Sequence, residues 1–171
     1  MSSIEENIRS IRSRMAAAAE RAGRDVGEVM LVGASKMNDA AACQAAIRAG
    51  IDALGENRVQ EMTAKLQEHA YDGAPLHFIG HLQRNKVRQV VGVVSLIQSA
   101  GSWELLEEIE RQAEKKELIQ DVLLEVNIGG EESKSGFAPQ VLYEAADKAR
   151  SLSHIRVRGL MTIPPVEQVP H

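Results

Sequence analysis

The residues with the most chemistry within reach stand at the end of one apolar run. Val29-Met-Leu-Val-Gly-Ala-Ser-Lys36 is a mostly apolar stretch that ends in a hydroxyl and an amine. Such a run, near-continuous rather than alternating, predicts a strand over 29–35 buried on both faces, as in a parallel sheet. A lysine walled by apolar residues at a strand end is expected to be desolvated. Desolvation disfavours the ammonium and frees the amine to attack a carbonyl carbon. The competing reading is a lysine that lays its methylenes along the strand end and keeps its charge in water.

Other polar residues recur just after predicted strands: Glu56 and Asn57, His81, Ser99, Asn127 and Thr162. The Asn57 amide suits either a hydrogen bond to a ligand or the cap of the helix that follows. His77 and His81 have no cysteine or carboxylate partners at zinc spacing, so no metal site is expected. His77 reads as a core histidine. Arg58, Arg84, Lys86 and Arg88 make a locally basic stretch of the kind that usually faces solvent. Gly129-Gly130 with Ser133, Lys134 and Ser135 reads as a loop able to touch a phosphate, a signal of low specificity. Cys43 lies among alanines in a helical pattern and reads as inert packing. Met161 ends the last strand beside the candidate site, and alternation leaves the direction of Arg158 open.

These residues need elements to position them. Ile4, Ile8, Ile11 and Met15 recur at helical spacing, with Ser3 and Glu6 placed as a capping box and Gly23 as the stop. A helix from Asp39 to Gly50, a short strand over 52–54 and a helix to about His69 follow. Strands are predicted over 76–79 and 94–98, joined by a short helix carrying Val87, Val90 and Val91. Ser102 caps an amphipathic helix with Leu105, Leu106, Ile109 and Ala113 on one side. Strands over 122–126 and 155–161 bracket a helix that Pro139 opens. Strand and helix thus alternate through six strands, which predicts a parallel α/β sheet. An open doubly wound sheet would gather its polar residues at one switch point and a barrel would gather them in one ring, so the spread of polar strand ends favours the barrel. No G-x-G-x-x-G follows the first strand and no phosphate-loop motif occurs, which weakens a nucleotide site. The expected fold is an α/β (β/α)8 TIM-barrel type, incomplete, with about six parallel strands, in one domain over 1–171. The last two βα units are missing on this reading. Two unpaired strand edges would remain, so a monomer or an edge-paired oligomer is expected.

The bulk numbers set limits. A length of 171 residues suits one core, and 44% hydrophobic with 26% charged residues is an ordinary globular mixture. Aromatics at 3% leave the core to Ala, Val, Leu and Ile. A net charge of −4 gives no electrostatic reason to bind nucleic acid or an anionic membrane. The single cysteine excludes an internal disulfide framework and fits a reducing compartment. No apolar run approaches the ~18 residues of a membrane helix. The polar, acid-bearing start is unlike a signal peptide, so a cytoplasmic protein is expected.

Several segments together resemble a known family. Ala34-Ser-Lys36, GENRVQE from Gly55, FIGHLQRNK from Phe78, GEESKSGF from Gly130 and RVRGLMTIPP from Arg156 resemble the YggS/PROSC family of pyridoxal phosphate homeostasis proteins. The resemblance runs from the first helix to Pro165. It implies a barrel like the N-terminal domain of alanine racemase, with pyridoxal 5′-phosphate (PLP) as cofactor, held as a Schiff base on Lys36. It implies that Asn57 and Met161 lie near the cofactor ring and that Lys134 is a secondary lysine that contacts or transfers cofactor. The family often places Thr-Lys-Pro after its lysine; Met37, Asn38 and Asp39 stand here, so a second lysine there is lost. The family also continues into strands whose loops grip the phosphate, and the expected truncation removes them and weakens retention. No catalytic residue is expected. A racemase needs a second base across the ring. Tyr71 and Tyr143 are not at strand ends. The expected role is intracellular PLP (vitamin B6) homeostasis, with PLP-dependent client enzymes as recipients. The alternatives are a racemase-like enzyme using the same lysine and a scaffold that no longer retains cofactor.

Overall fold

The computed structural model describes residues 3–131 and 135–164. Among the described residues, an N-terminal α-helix is followed by six strands alternating with five further α-helices. They are α1 (Ile4–Arg21), β1 (Val32–Ala34), α2 (Ala40–Arg48), β2 (Ala53–Glu56), α3 (Val59–Gln67), β3 (Leu76–Phe78), α4 (Val87–Val90), β4 (Leu96–Ala100), α5 (Trp103–Lys115), β5 (Gln120–Glu125), α6 (Leu142–Ala149) and β6 (Ile155–Met161). The strands follow chain order in one sheet, and the β1–β2, β3–β4, β4–β5 and β5–β6 pairs are parallel. This is the α/β architecture that the hydrophobic pattern predicts. Contacts divide the chain into two compact units. The first runs through Glu56 and adds Gln60–Leu76; the second takes Asn57–Val59 and the chain from His77 onward.

In the first unit, the predicted capping box is present: Glu6 N donates to Ser3 Oγ and Ser3 N to a Glu6 carboxylate oxygen. Asp39 caps α2 by accepting from Ala42 N at 2.8 Å, and Gly50, at φ 84°, ends the turn beyond it. The apolar stripe of α1 is only partly covered. Ile8 is buried, whereas Ile4 and Ile11 are exposed along a hollow of about 340 Å³ shared with Val32, Ala42, Ile51 and Leu54.

The first strand differs from its prediction. It starts at Val32, not Val29, and it is not buried on both faces: Val32 and Gly33 are half-buried and Ala34 is exposed. Val29 and Met30 are exposed as well. A 3₁₀ turn over Val26–Glu28, capped by Asp25, occupies the chain just before. Leu31 N then donates to the Asp52 side chain, so the ladder to β2 opens only at Val32.

In the second unit, Ser102 Oγ accepts from Leu105 N at the start of α5, whose Leu105, Leu106, Ile109 and Ala113 are buried. β5 alternates, with Gln120, Val122 and Leu124 inside. β6 occupies the predicted residues, yet only Ile155 is buried, and Val157 and Leu160 are exposed. Arg156 and Arg158 are exposed too and both lie against Asp121, which settles the direction of Arg158. The core is built as the composition requires, from aliphatic residues around the fully buried Phe78. No helix among the described residues is long and apolar enough to cross a membrane.

One ion pair ties α1 to the start of β2. Arg12 donates to an Asp52 carboxylate oxygen and to Gly50 O, both at 2.6 Å. The hydrogen bond from Arg12 holds the Asp52 carboxyl below the usual aspartate range. The stability it confers is therefore complete at neutral pH and is lost as pH falls below about 4. Asp52→Asn is expected to cost about 1–2 kcal/mol in urea denaturation at pH 7. The gap from the parent protein should close as the pH drops through 3; an equal gap at both pH values would contradict the assignment.

Candidate functional site

Lys36 sits in the turn directly after β1, and it is exposed. The expectation of a lysine walled by apolar residues is therefore corrected. The strand that would have walled it is shorter, and Ala34 beside it is open to solvent. Among the described residues no carboxylate pairs with the Lys36 amine. The backbone around it is held instead: Ser35 N donates to Gly55 O, Asn38 N to Ser35 O, and the Asn38 amide to Lys36 O.

The buried lysine of this unit is Lys65, on α3. Its ammonium donates to Glu56 Oε1 at 2.7 Å, Glu61 Oε1 at 2.7 Å and Ser35 O at 2.8 Å, which uses all three of its protons. Burial alone would lower its pKa; the hydrogen bonds to Glu56 and Glu61 outweigh that and hold it above the ordinary lysine value. Glu56 is fully buried at the end of β2, not beyond it, and Oε1 also accepts from Ser35 Oγ and the Tyr71 hydroxyl. Burial, then the adjacent Glu56 charge, pushes the Tyr71 phenol far up, so it stays protonated. Sequence reasoning missed this cluster. The available signal was Lys65 standing with Val59 and Met62 on the buried stripe of an otherwise ordinary amphipathic helix.

In the second unit, Asn57 follows β2 and is half-buried. Its Oδ1 has no hydrogen-bond partner, so the helix-cap reading fails: that oxygen accepts from no backbone N–H of α3. Gly80 lies against it. A Cβ at position 80 would fall 2.5 Å from Asn57 Cα and 2.6 Å from Asn57 Cβ, so only glycine fits. Ser99 Oγ is a second buried polar atom without a partner, and Ser99 lies inside β4, not after it. His77 is the expected core histidine: it is buried, hydrogen-bonded to Gln98 at 3.0 Å, and its pKa is lowered by desolvation. Met161 ends β6, half-buried, and its carbonyl accepts from Val126 N at 2.8 Å. Ser135 Oγ donates to Glu125 in the loop after β5, and Lys134 lies outside the described residues. Cys43 is buried, and desolvation raises its thiol pKa. Among the described residues no three His, Cys, Asp or Glu side chains gather as a metal cage.

A turn bearing a lysine after β1, in a parallel sheet whose first five strands each lead into a helix, defines a class. The chain belongs to the family described as alanine racemase, N-terminal domain, whose model matches residues 1–171. Within it, the chain stands among the pyridoxal phosphate homeostasis proteins. The protein of that name from Aquifex aeolicus is 41% identical over 165 residues, which is 96% of this chain and 72% of that protein. PipY of Synechococcus elongatus, solved with PLP bound, is 32% identical with a TM-score of 0.80 over 95% of this chain and 71% of its own. An unknown protein from Bifidobacterium adolescentis, 41% identical, superposes with a TM-score of 0.89 over 95% of this chain and 70% of its own. The family resemblance read from the motifs is thereby established.

Two substitutions test the geometry. Lys65→Met leaves Glu56 buried and unpaired and should cost about 3–5 kcal/mol in urea denaturation. Because the Lys65 pKa is raised, the pair's contribution should persist at neutral pH and fade only above the ordinary lysine range. Gly80→Ala must displace the Asn57 backbone and should cost about 1–3 kcal/mol by the same measurement. A neutral result in either case would show that the contact relaxes freely.

Proposed function

We propose that this chain holds pyridoxal 5′-phosphate on Lys36 and serves intracellular PLP balance, without turning over a substrate. The observation that carries the reading is the contrast between two lysines of the first unit, Lys36 in the turn after β1 and Lys65 on α3. Lys65 is saturated by three acceptors and held charged. Lys36 is exposed, on a turn whose backbone is fixed, with no carboxylate partner among the described residues. When bound, the cofactor supplies an aldehyde, with which an unpaired lysine amine condenses. The names of the relatives and the PLP-bound PipY structure support the same assignment.

Asn57 and Met161 are proposed as contacts to the cofactor, and Lys134 as a second amine that touches or passes it on. For Asn57, the unpartnered Oδ1 supports that role, because a buried polar atom without a partner is rare in a protein interior. The absence of turnover is supported by the tyrosines. Tyr71 is buried and donates to Glu56, and Tyr143 is 87% exposed on α6, so neither resembles a positioned base. Client enzymes that need PLP are the proposed recipients, and the cytoplasm the proposed compartment.

Incubation with PLP, reduction with borohydride and peptide mass spectrometry test this reading. One adduct per chain is expected on Lys36, absent in Lys36→Ala. Adducts spread over surface lysines, or none on Lys36, would overturn it. Exchange of the α-hydrogen of amino acids should run no faster than with free cofactor; sustained turnover would restore the racemase alternative.

A further inference from the structure

We infer that Glu61 is a positioning residue for Lys36, acting with Lys65 as a clamp on both sides of the lysine's backbone. On one side, the Lys65 ammonium donates to Ser35 O at 2.8 Å, and Ser35 Oγ donates to Glu56 Oε1 at 2.7 Å. On the other, Met37 N donates to Glu61 Oε1 at 2.6 Å. That same carboxylate oxygen accepts from Lys65 at 2.7 Å, so a single ammonium links the holds on residues 35 and 37.

The turn needs such a clamp. Met37 has φ 62°, the left-handed region that a non-glycine residue with an ordinary side chain avoids. Its side chain is 91% exposed and gives the turn no apolar anchor. Polar contacts alone hold the conformation that sets how Lys36 leaves the strand. Glu61 and Lys65 lie one helical turn apart on α3, whose Val59 and Met62 are buried. A rigid helix therefore carries the fixed point. Lys65 orients the carboxylate that does the holding, and its own saturated ammonium does not compete for an aldehyde.

This inference rests on the reading of Lys36 as the cofactor's attachment point, and the test separates the two. The rate of borohydride-trapped PLP adduct formation is followed by peptide mass spectrometry at Lys36 and, in the same sample, at exposed lysines such as Lys148. Glu61→Ala is expected to slow the Lys36 adduct about ten-fold, with the Lys148 rate unchanged. Glu61→Gln, which keeps an acceptor oxygen for Met37 N, should recover most of the rate. Glu61→Asp, charged but too short to reach, should behave like alanine and gives a second route if Glu61→Ala does not fold. Met37→Asn in the Glu61→Ala background should restore part of the rate, since asparagine tolerates the left-handed conformation. A folded Glu61→Ala or Glu61→Asp protein that forms the Lys36 adduct at the parent rate overturns the clamp. Absence of a Lys36 adduct in the parent protein overturns the functional reading instead. A purely structural role would change every lysine in proportion to the unfolded fraction, and that result also overturns the clamp.

Discussion

The first unit depends on a charge pair that water does not reach. Glu56 is wholly buried and Lys65 nearly so, and removing two such ions from water is costly unless every donor is used. Lys65 uses all three of its protons. Glu56 Oε1 takes three donors, from Ser35, Lys65 and Tyr71. Each partner comes from a different stretch of chain, so satisfying the pair fixes the turn after β1, the end of β2 and the first turns of α3 at once. A mispacked arrangement would leave a bare charge inside, a penalty far larger than any single apolar contact could offset.

Buried polar groups in this chain therefore come in two kinds. The Lys65 ammonium and Glu56 Oε1 are saturated and make structure. Asn57 Oδ1, Ser99 Oγ and the second oxygen of Glu56 have no partner. An acceptor left empty in an interior is either strained or prepared for something. Gly80 shows that the position of Asn57 is enforced, because the Asn57 backbone fills the space that any side chain at 80 would need.

Much of this was legible in the sequence, for identifiable reasons. Ser3 with Glu6, Asp39 and Ser102 announce helix starts because capping is local chemistry, decided within three residues. β6 was read to the residue because a charged, glycine-bearing strand bounded by turn residues leaves little freedom of register. Val29–Leu31 misled because hydrophobicity reports a preference for burial, whereas a strand is defined by ladder partners. Here Leu31 N goes to Asp52 before the ladder opens. Lys36 was legible as a chemical candidate, although its supposed burial belongs to another lysine. The Lys65 cluster was not legible, because Glu61 stands at helical spacing from Lys65 whereas the partner that makes the pair a core feature, Glu56, is nine residues away and outside any helical period.

The lone thiol has a practical consequence. Cys43 is 2% exposed on α2, and burial holds it in its unreactive form. With one cysteine in the chain, every alkylation event must come from that helix. Timed labelling therefore amounts to a stopwatch for opening of the first unit alone. Slower labelling in the presence of a bound small molecule would report, without any engineered probe, that its arrival tightens the half of the molecule that carries Lys36.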